Sequence, residues 1–416
     1  VTRSSAFWTA FGPGLLWAAA AIGVSHLVQS TRAGADAGFG LAWIIVAALV
    51  LKYPFFEYGP RYAAATGESL VEGYRRVGRW ALWLYLLITL ATALVIQVAI
   101  VLFTAFLFRY VFGLSWSLPV VAAGVIALCA GVLVTGRFRA LDGAIKLVIV
   151  LLSISTLLAS AVALPRVDLV TAIPWPLGPE PVAFAFILAL MGWMPSAIDI
   201  SVWSSLWTLA KDRAAGRRAS LAHALLDFRV GYIGTAVLAF AFVVLGAGVM
   251  HGSGRTFSAQ GTQFSIQLVD LYAATLGGWL RPVVLVAVVT TMFSTALTVV
   301  DGFPRALARS FRVLRRGIQP VDSDETPGYW ISGAVLGVLT VAVIASLIGS
   351  LTAMVDFATI VSFLTAPVLG YINLRAVTAP HVPAECRPGR ALLITSHLGL
   401  VLLGGTALVY LVTLIR

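Results

Sequence analysis

The chain has 416 residues, 60% of them hydrophobic and only 11% charged, with a formal net charge of +11 and a mean hydropathy of +0.97. That composition excludes a water-soluble domain, because apolar runs of the roughly 20 residues needed to cross a hydrocarbon layer recur along the whole chain. The charge does not indicate nucleic acid, since the arginines lie between the apolar runs and gather on alternate loops.

Eleven helical spans are predicted, the first five at roughly 11–30, 41–64, 80–108, 118–135 and 144–164. The other six fall at roughly 182–209, 230–250, 280–300, 329–348, 351–373 and 391–414. The first run is expected to be part of the fold, because it continues into a helix-breaking motif and not into a small-residue cleavage site. Arg75, Arg76 and Arg79 follow span 2, Arg137 and Arg139 follow span 4, and Lys211, Arg213, Arg217 and Arg218 follow span 6. Arg305, Arg309, Arg312, Arg315 and Arg316 follow span 8, and Arg375, Arg387 and Arg390 follow span 10. These loops are expected in the cytoplasm, which puts the N-terminus inside, the C-terminus outside and the protein in the inner (plasma) membrane. Between spans 7 and 8, residues 262–274 alternate Gln263, Gln267 and Asp270 with Phe264, Ile266, Leu268 and Leu271, as in an amphipathic surface helix, a lid or a simple connector. Cys129 and Cys386 differ too much in depth to form a disulfide.

Spans 1 and 6 are each interrupted mid-membrane, at Gly23-Val24-Ser25-His26 and at Gly192-Trp193-Met194-Pro195-Ser196. Backbone that leaves the helix at that depth must be buried in protein or line a cavity, so two breaks five spans apart point to a substrate site between two inverted halves of a secondary transporter. An intramembrane enzyme is not indicated, as neither a His-Glu-x-x-His nor a paired-aspartate motif is present. A channel is not indicated either, since no pore segment repeats.

Several local motifs resemble one family. They are Gly12-Pro13-Gly14 opening span 1, Arg32-Ala33-Gly34-Ala35 closing it, and Arg61 with Thr66-Gly67, Leu70 and Glu72 after span 2. Met194-Pro195 in span 6, Leu226-Asp227 entering span 7 and Asp301-Gly302-Phe303 in span 8 continue the series. In order and over nearly the whole chain, the sequence resembles the Nramp divalent-metal transporters. The resemblance implies an all-α LeuT-type fold in one transmembrane domain over 1–416, with inverted repeats at about 8–165 and 180–375 and an extra helix at about 391–414. It also implies alternating access by rocking of spans 1, 2, 6 and 7, with a divalent metal as substrate and no resident cofactor. The lipid bilayer and the small ion are the implied partners.

The departures from the family fall in the breaks. Where the family carries Asp-Pro-Gly-Asn, this chain has Gly23, Val24, Ser25 and His26, so the metal-binding carboxylate is missing. The family's Ala-x-x-Met-Pro-His becomes Met191-Gly192-Trp193-Met194-Pro195-Ser196, which keeps the methionine as Met194. Thr359 matches a position where the family often carries a metal-binding Gln, and span 3 holds no acid or base. Weak or absent proton coupling is therefore expected.

On residue chemistry, His26 with the Met191 and Met194 sulfurs makes an uncharged set suited to softer metals, helped by carbonyls freed at the breaks. His26 equally fits a hydrogen bond that secures the break. Asp199, five residues past Met194, is a candidate replacement acid, or a carboxylate held by hydroxyls or by an arginine such as Arg32. With Gly23, Ser25, Trp193, Ser196 and Thr359 these residues form the expected substrate site. Trp193 would also suit a neutral or cationic organic solute of the wider amino-acid and cation transporter superfamily. Lys52 and Glu57 flank Pro54 and are expected to snorkel or to pair across a kink, Asp142 and Lys146 to pair on a helix surface, and Asp227 and Arg229 to form a gate ion pair or interfacial anchors.

Overall fold

The computed structural model describes residues 13–135, 138–167, 182–318, 326–346 and 350–415, and every regular element among them is a helix. Span 1 is α1 (Pro13–Ala21), a bend, a wide π turn (Ser25–Ser30) and α2 (Thr31–Ala37). Span 2 is α3 (Ala42–Thr66), followed by the short α4 (Leu70–Val77) and by span 3, α5 (Arg79–Phe112). Spans 4 and 5 are α6 (Leu118–Val134) and α7 (Phe138–Ala163). Span 6 comprises α8 (Phe184–Trp193) and α9 (Ile200–Ala215), and span 7 is α10 (Leu221–Val249). Then come α11 (Gly261–Leu276), α12 (Arg281–Arg316), α13 (Thr326–Ser346), α14 (Leu351–Val377) and α15 (Arg390–Ile415).

Among the described residues seven of these helices are long and apolar enough to cross a membrane. The other four predicted spans are the two broken ones, the 17-residue α6 and α7. Helices overrun the apolar windows wherever the chain leaves the membrane still hydrogen-bonded. Thus α10 begins at Leu221 and α12 runs on to Arg316. The predicted amphipathic segment is α11, which buries Phe264, Leu268, Leu271 and Tyr272 and leaves Asp270 exposed. The side chains of Asp142 and Lys146 lie outside the described residues.

Without a strong hydrophobic drive between helices in lipid, close packing depends on small residues. Spans 1 and 7 meet through glycine at both ends. A Cβ on Gly14 would sit 2.1 Å from the Asp227 carbonyl oxygen, and one on Gly34 2.1 Å from that of Val243. From the other side, Gly246 and Gly231 approach the backbone oxygens of Thr31 and Gly14 in the same way. Span 6 is fixed similarly, Gly192 against the backbone of Thr359 in α14 and Gly59 of α3 against that of Ser201 in α9. These contacts bring the two breaks together at mid-bundle, beside α5 and α12.

Candidate substrate site between the two helix breaks

The first break satisfies its own polar groups. Thr295 of α12 lies against Gly23 and directs its hydroxyl toward the carbonyls of Ala19 and Ile22, 3.2 Å from each. The π turn leaves further carbonyls, and Ser30 and Thr31 donate to those of Ser25 and His26. His26 is fully buried, its Nε2 2.9 Å from the Thr235 carbonyl and its Nδ1 2.7 Å from Ser25 Oγ. A carbonyl can only accept, so Nε2 carries a proton, and the Ser25 hydroxyl donates to the Ala21 carbonyl at 2.6 Å.

The second break carries charge. Lys52 of α3 is fully buried and donates to the carbonyls of Met191, Gly192 and Ser196 at 3.0, 2.9 and 2.7 Å. Trp193 donates from Nε1 to Ser362 Oγ at 2.8 Å. Asp199 sits at the start of α9, 1% exposed, and neither carboxylate oxygen has a hydrogen-bond partner. The partial positive charge of the α9 N-terminus offsets part of the cost of that charge, but it supplies no hydrogen bond. Arg32 does not reach Asp199. It pairs with Asp356 at 2.7 Å, with Gln29 bonded to the same carboxylate.

Between the breaks lies a cavity of about 30 Å³, lined on its polar side by Ser25, Ser196, Asp199 and Thr295 and walled by Trp193 and Trp203. That is room for one or two waters or a small ion. The Trp203 Nε1 is buried without a partner. Of the residues expected from sequence, Ser25, Trp193, Ser196 and Asp199 line the cavity, while Gly23, His26, Met191, Met194 and Thr359 do not. Met194 is fully buried, and the Thr359 hydroxyl donates to the carbonyls of Val355 and Asp356. Among the described residues no group of three or more His, Cys, Asp or Glu is placed to hold a metal.

The Arg-rich end is closed by aromatic packing and ion pairs. Trp17 is fully buried against Phe56, Phe228 and Tyr232, with ring centroids 5.3 to 5.4 Å away. Lys52 and Glu57 do not pair across the Pro54 kink as expected. Glu57 instead takes Arg61 at 2.6 Å and Arg229 at 3.4 Å. Asp227 is likewise not paired to Arg229, and its Oδ2 accepts from the backbone N–H of Gly14 at 3.0 Å. The Lys52 arrangement was not foreseen from sequence. The available signal was its being a lone lysine inside an apolar span, a position that ordinarily faces a polar pathway.

Two broken helices meeting at a small buried cavity within a helical membrane bundle are the arrangement of the LeuT-type fold. Residues 14–413 match the family described as natural resistance-associated macrophage protein-like, Nramp. An uncharacterized protein of Pasteurella multocida is 36% identical over 97% of this chain and 92% of its own. The divalent metal cation transporter MntH of Chromohalobacter salexigens is 26% identical over 60% of this chain and 59% of its own. Among solved structures, a variant of the Eremococcus coleocola manganese transporter superposes with a TM-score of 0.71 at 15% identity, over 99% of this chain and 88% of that one. The chain belongs to the Nramp family.

Proposed function

We propose that this protein moves a small cation, a divalent metal ion that keeps part of its water, across the membrane by alternating access. The observation that carries this reading is Asp199, an unpartnered buried carboxylate facing a cavity of about 30 Å³. A desolvated cation needs negative charge nearby, and the first break offers none. Asp199 supplies it from the second break. Ser25 and Ser196 contribute hydroxyl oxygens, and retained water completes the shell, as suits a hard divalent ion. His26, Met191, Met194, Gly23 and Thr359 frame the site, with Met194 the sulfur that would move into reach when the break repacks.

The same reading takes the repeats as about 8–165 and 180–375, with spans 1, 2, 6 and 7 rocking against the rest. It puts the protein in the plasma membrane, N-terminus in the cytoplasm, as the arginine distribution favours. Proton coupling is weak or absent, because α5 carries no acid or base between Trp80 and Phe108. A second reading, an organic solute, draws on the indole walls of Trp193 and Trp203 and the free Trp203 Nε1. The small cavity counts against it in this conformation.

The test is uptake of Mn²⁺ into proteoliposomes with a trapped metal-sensitive dye, with Mg²⁺ and Ca²⁺ as comparators and internal pH followed in parallel. Saturable Mn²⁺ entry lost in Asp199→Asn, without internal acidification, is expected. No metal entry in folded, inserted protein, together with saturable entry of organic amines, would replace this reading with the second.

A further inference from the structure

We propose that the Lys52 ammonium is a resident, tethered cation that holds the break of the sixth span in the place a mobile ion would occupy among its carbonyl oxygens. A helix that stops in mid-membrane leaves carbonyls without amide partners, and these must find a donor or a cation. Here the oxygens of Met191, Gly192 and Ser196 converge on Nζ at 2.7 to 3.0 Å. Three acceptors at that range call for three N–H donors. An ammonium has three and a neutral amine two, so the arrangement matches the charged form.

The surroundings suit a cation. Met191 and Gly192 belong to the last turn of α8, where the helix dipole presents its negative end, and the Phe56 ring lies 5.5 Å from Nζ. Among the described residues no carboxylate is ion-paired with the ammonium, and Glu57 is held by Arg61 and Arg229. These oxygens are therefore filled before any substrate arrives, and the break persists in an empty transporter without a co-transported ion. The lysine stem also ties α3 to span 6, so that spans 2 and 6 move as one piece. Lys52 is a positioning residue: it acts on the site through the backbone of residues 191–196.

The test is thermal melting of the purified protein in a buffer whose only cation is a bulky quaternary amine, which does not depend on what is transported. Wild type should melt at the same temperature when Na⁺, K⁺ or ammonium is added at fixed ionic strength. Lys52→Met and Lys52→Ala should melt lower, and Lys52→Ala should recover with propylammonium, Na⁺ or K⁺ in a concentration-dependent way. Lys52→Met melting like wild type in the cation-poor buffer would overturn the proposal. So would a destabilised Lys52→Ala that no added cation shifts more than wild type. Should neither variant be obtained folded, a specific stabilisation of wild type by a monovalent cation would still overturn it.

Discussion

The two helix breaks meet at one cavity but solve the same backbone problem differently. In span 1 the freed carbonyls are satisfied by neutral neighbours, the hydroxyls of Thr295, Ser25, Ser30 and Thr31. In span 6 a buried ammonium takes the carbonyls, and a carboxylate one turn further on is left without a partner. The difference teaches that charge in this site resides on the span 6 side, opposite to the place where the family's motif would put it. An unpartnered buried charge is costly and is retained where something must bind it, whereas the first break is built for stability.

The largest effect expected from breaking this contrast is at Asp199. Asp199→Asn should lower Mn²⁺ uptake by at least about tenfold while leaving the melting temperature unchanged or higher, because the substitution removes an uncompensated buried charge. Uptake within about twofold of wild type would place the charge contact elsewhere.

Gly23 tests the neutral break. A Cβ there would lie 2.7 Å from Thr295 Oγ1 and 2.8 Å from its Cγ2, so Gly23→Ala should cost about 1–3 kcal/mol through overpacking. Thr295→Ala removes both clashing atoms but also the donor to Ala19 and Ile22. Thermal unfolding of the two single variants and the double should therefore be non-additive by more than about 0.5 kcal/mol, the double being more stable than the sum. Additive costs would mean that the break relaxes away from Thr295.

His26→Gln sharpens the distinction between scaffold and site. The ring bridges Ser25 to the Thr235 carbonyl, so the variant should lose about 1–3 kcal/mol of stability. Its apparent KM for Mn²⁺ should stay within about threefold of wild type. A much larger change in KM, with stability intact, would return His26 to the substrate.

The spans and both breaks were legible because hydropathy and helix-breaking residues are local signals. Ser25, Trp193, Ser196 and Asp199 followed from their places in or beside the breaks. What lay beyond the sequence were pairings over long separations. Lys52 finds backbone oxygens about 140 residues away, where no side-chain type could announce an acceptor. Glu57, its apparent partner by spacing, goes instead to Arg229 from another helix. Asp356 and Arg32 likewise meet across a long separation, from α14 and the resumed half of span 1.

That last pair gives the smallest expected effect. Arg32 and Asp356 hold the resumed half of span 1 to α14, but their side chains are 15% and 27% exposed, and solvent weakens the attraction. Arg32→Gln should therefore change stability by no more than about 1 kcal/mol, with the difference from wild type shrinking between low and molar salt as the charges are screened. Arg32 also lies over the Phe186 ring, 4.6 Å from its centroid, and that contact is less sensitive to salt. If the loss persists undiminished in molar salt, packing on α8, and not the ion pair, is what holds the resumed half of span 1 to span 6.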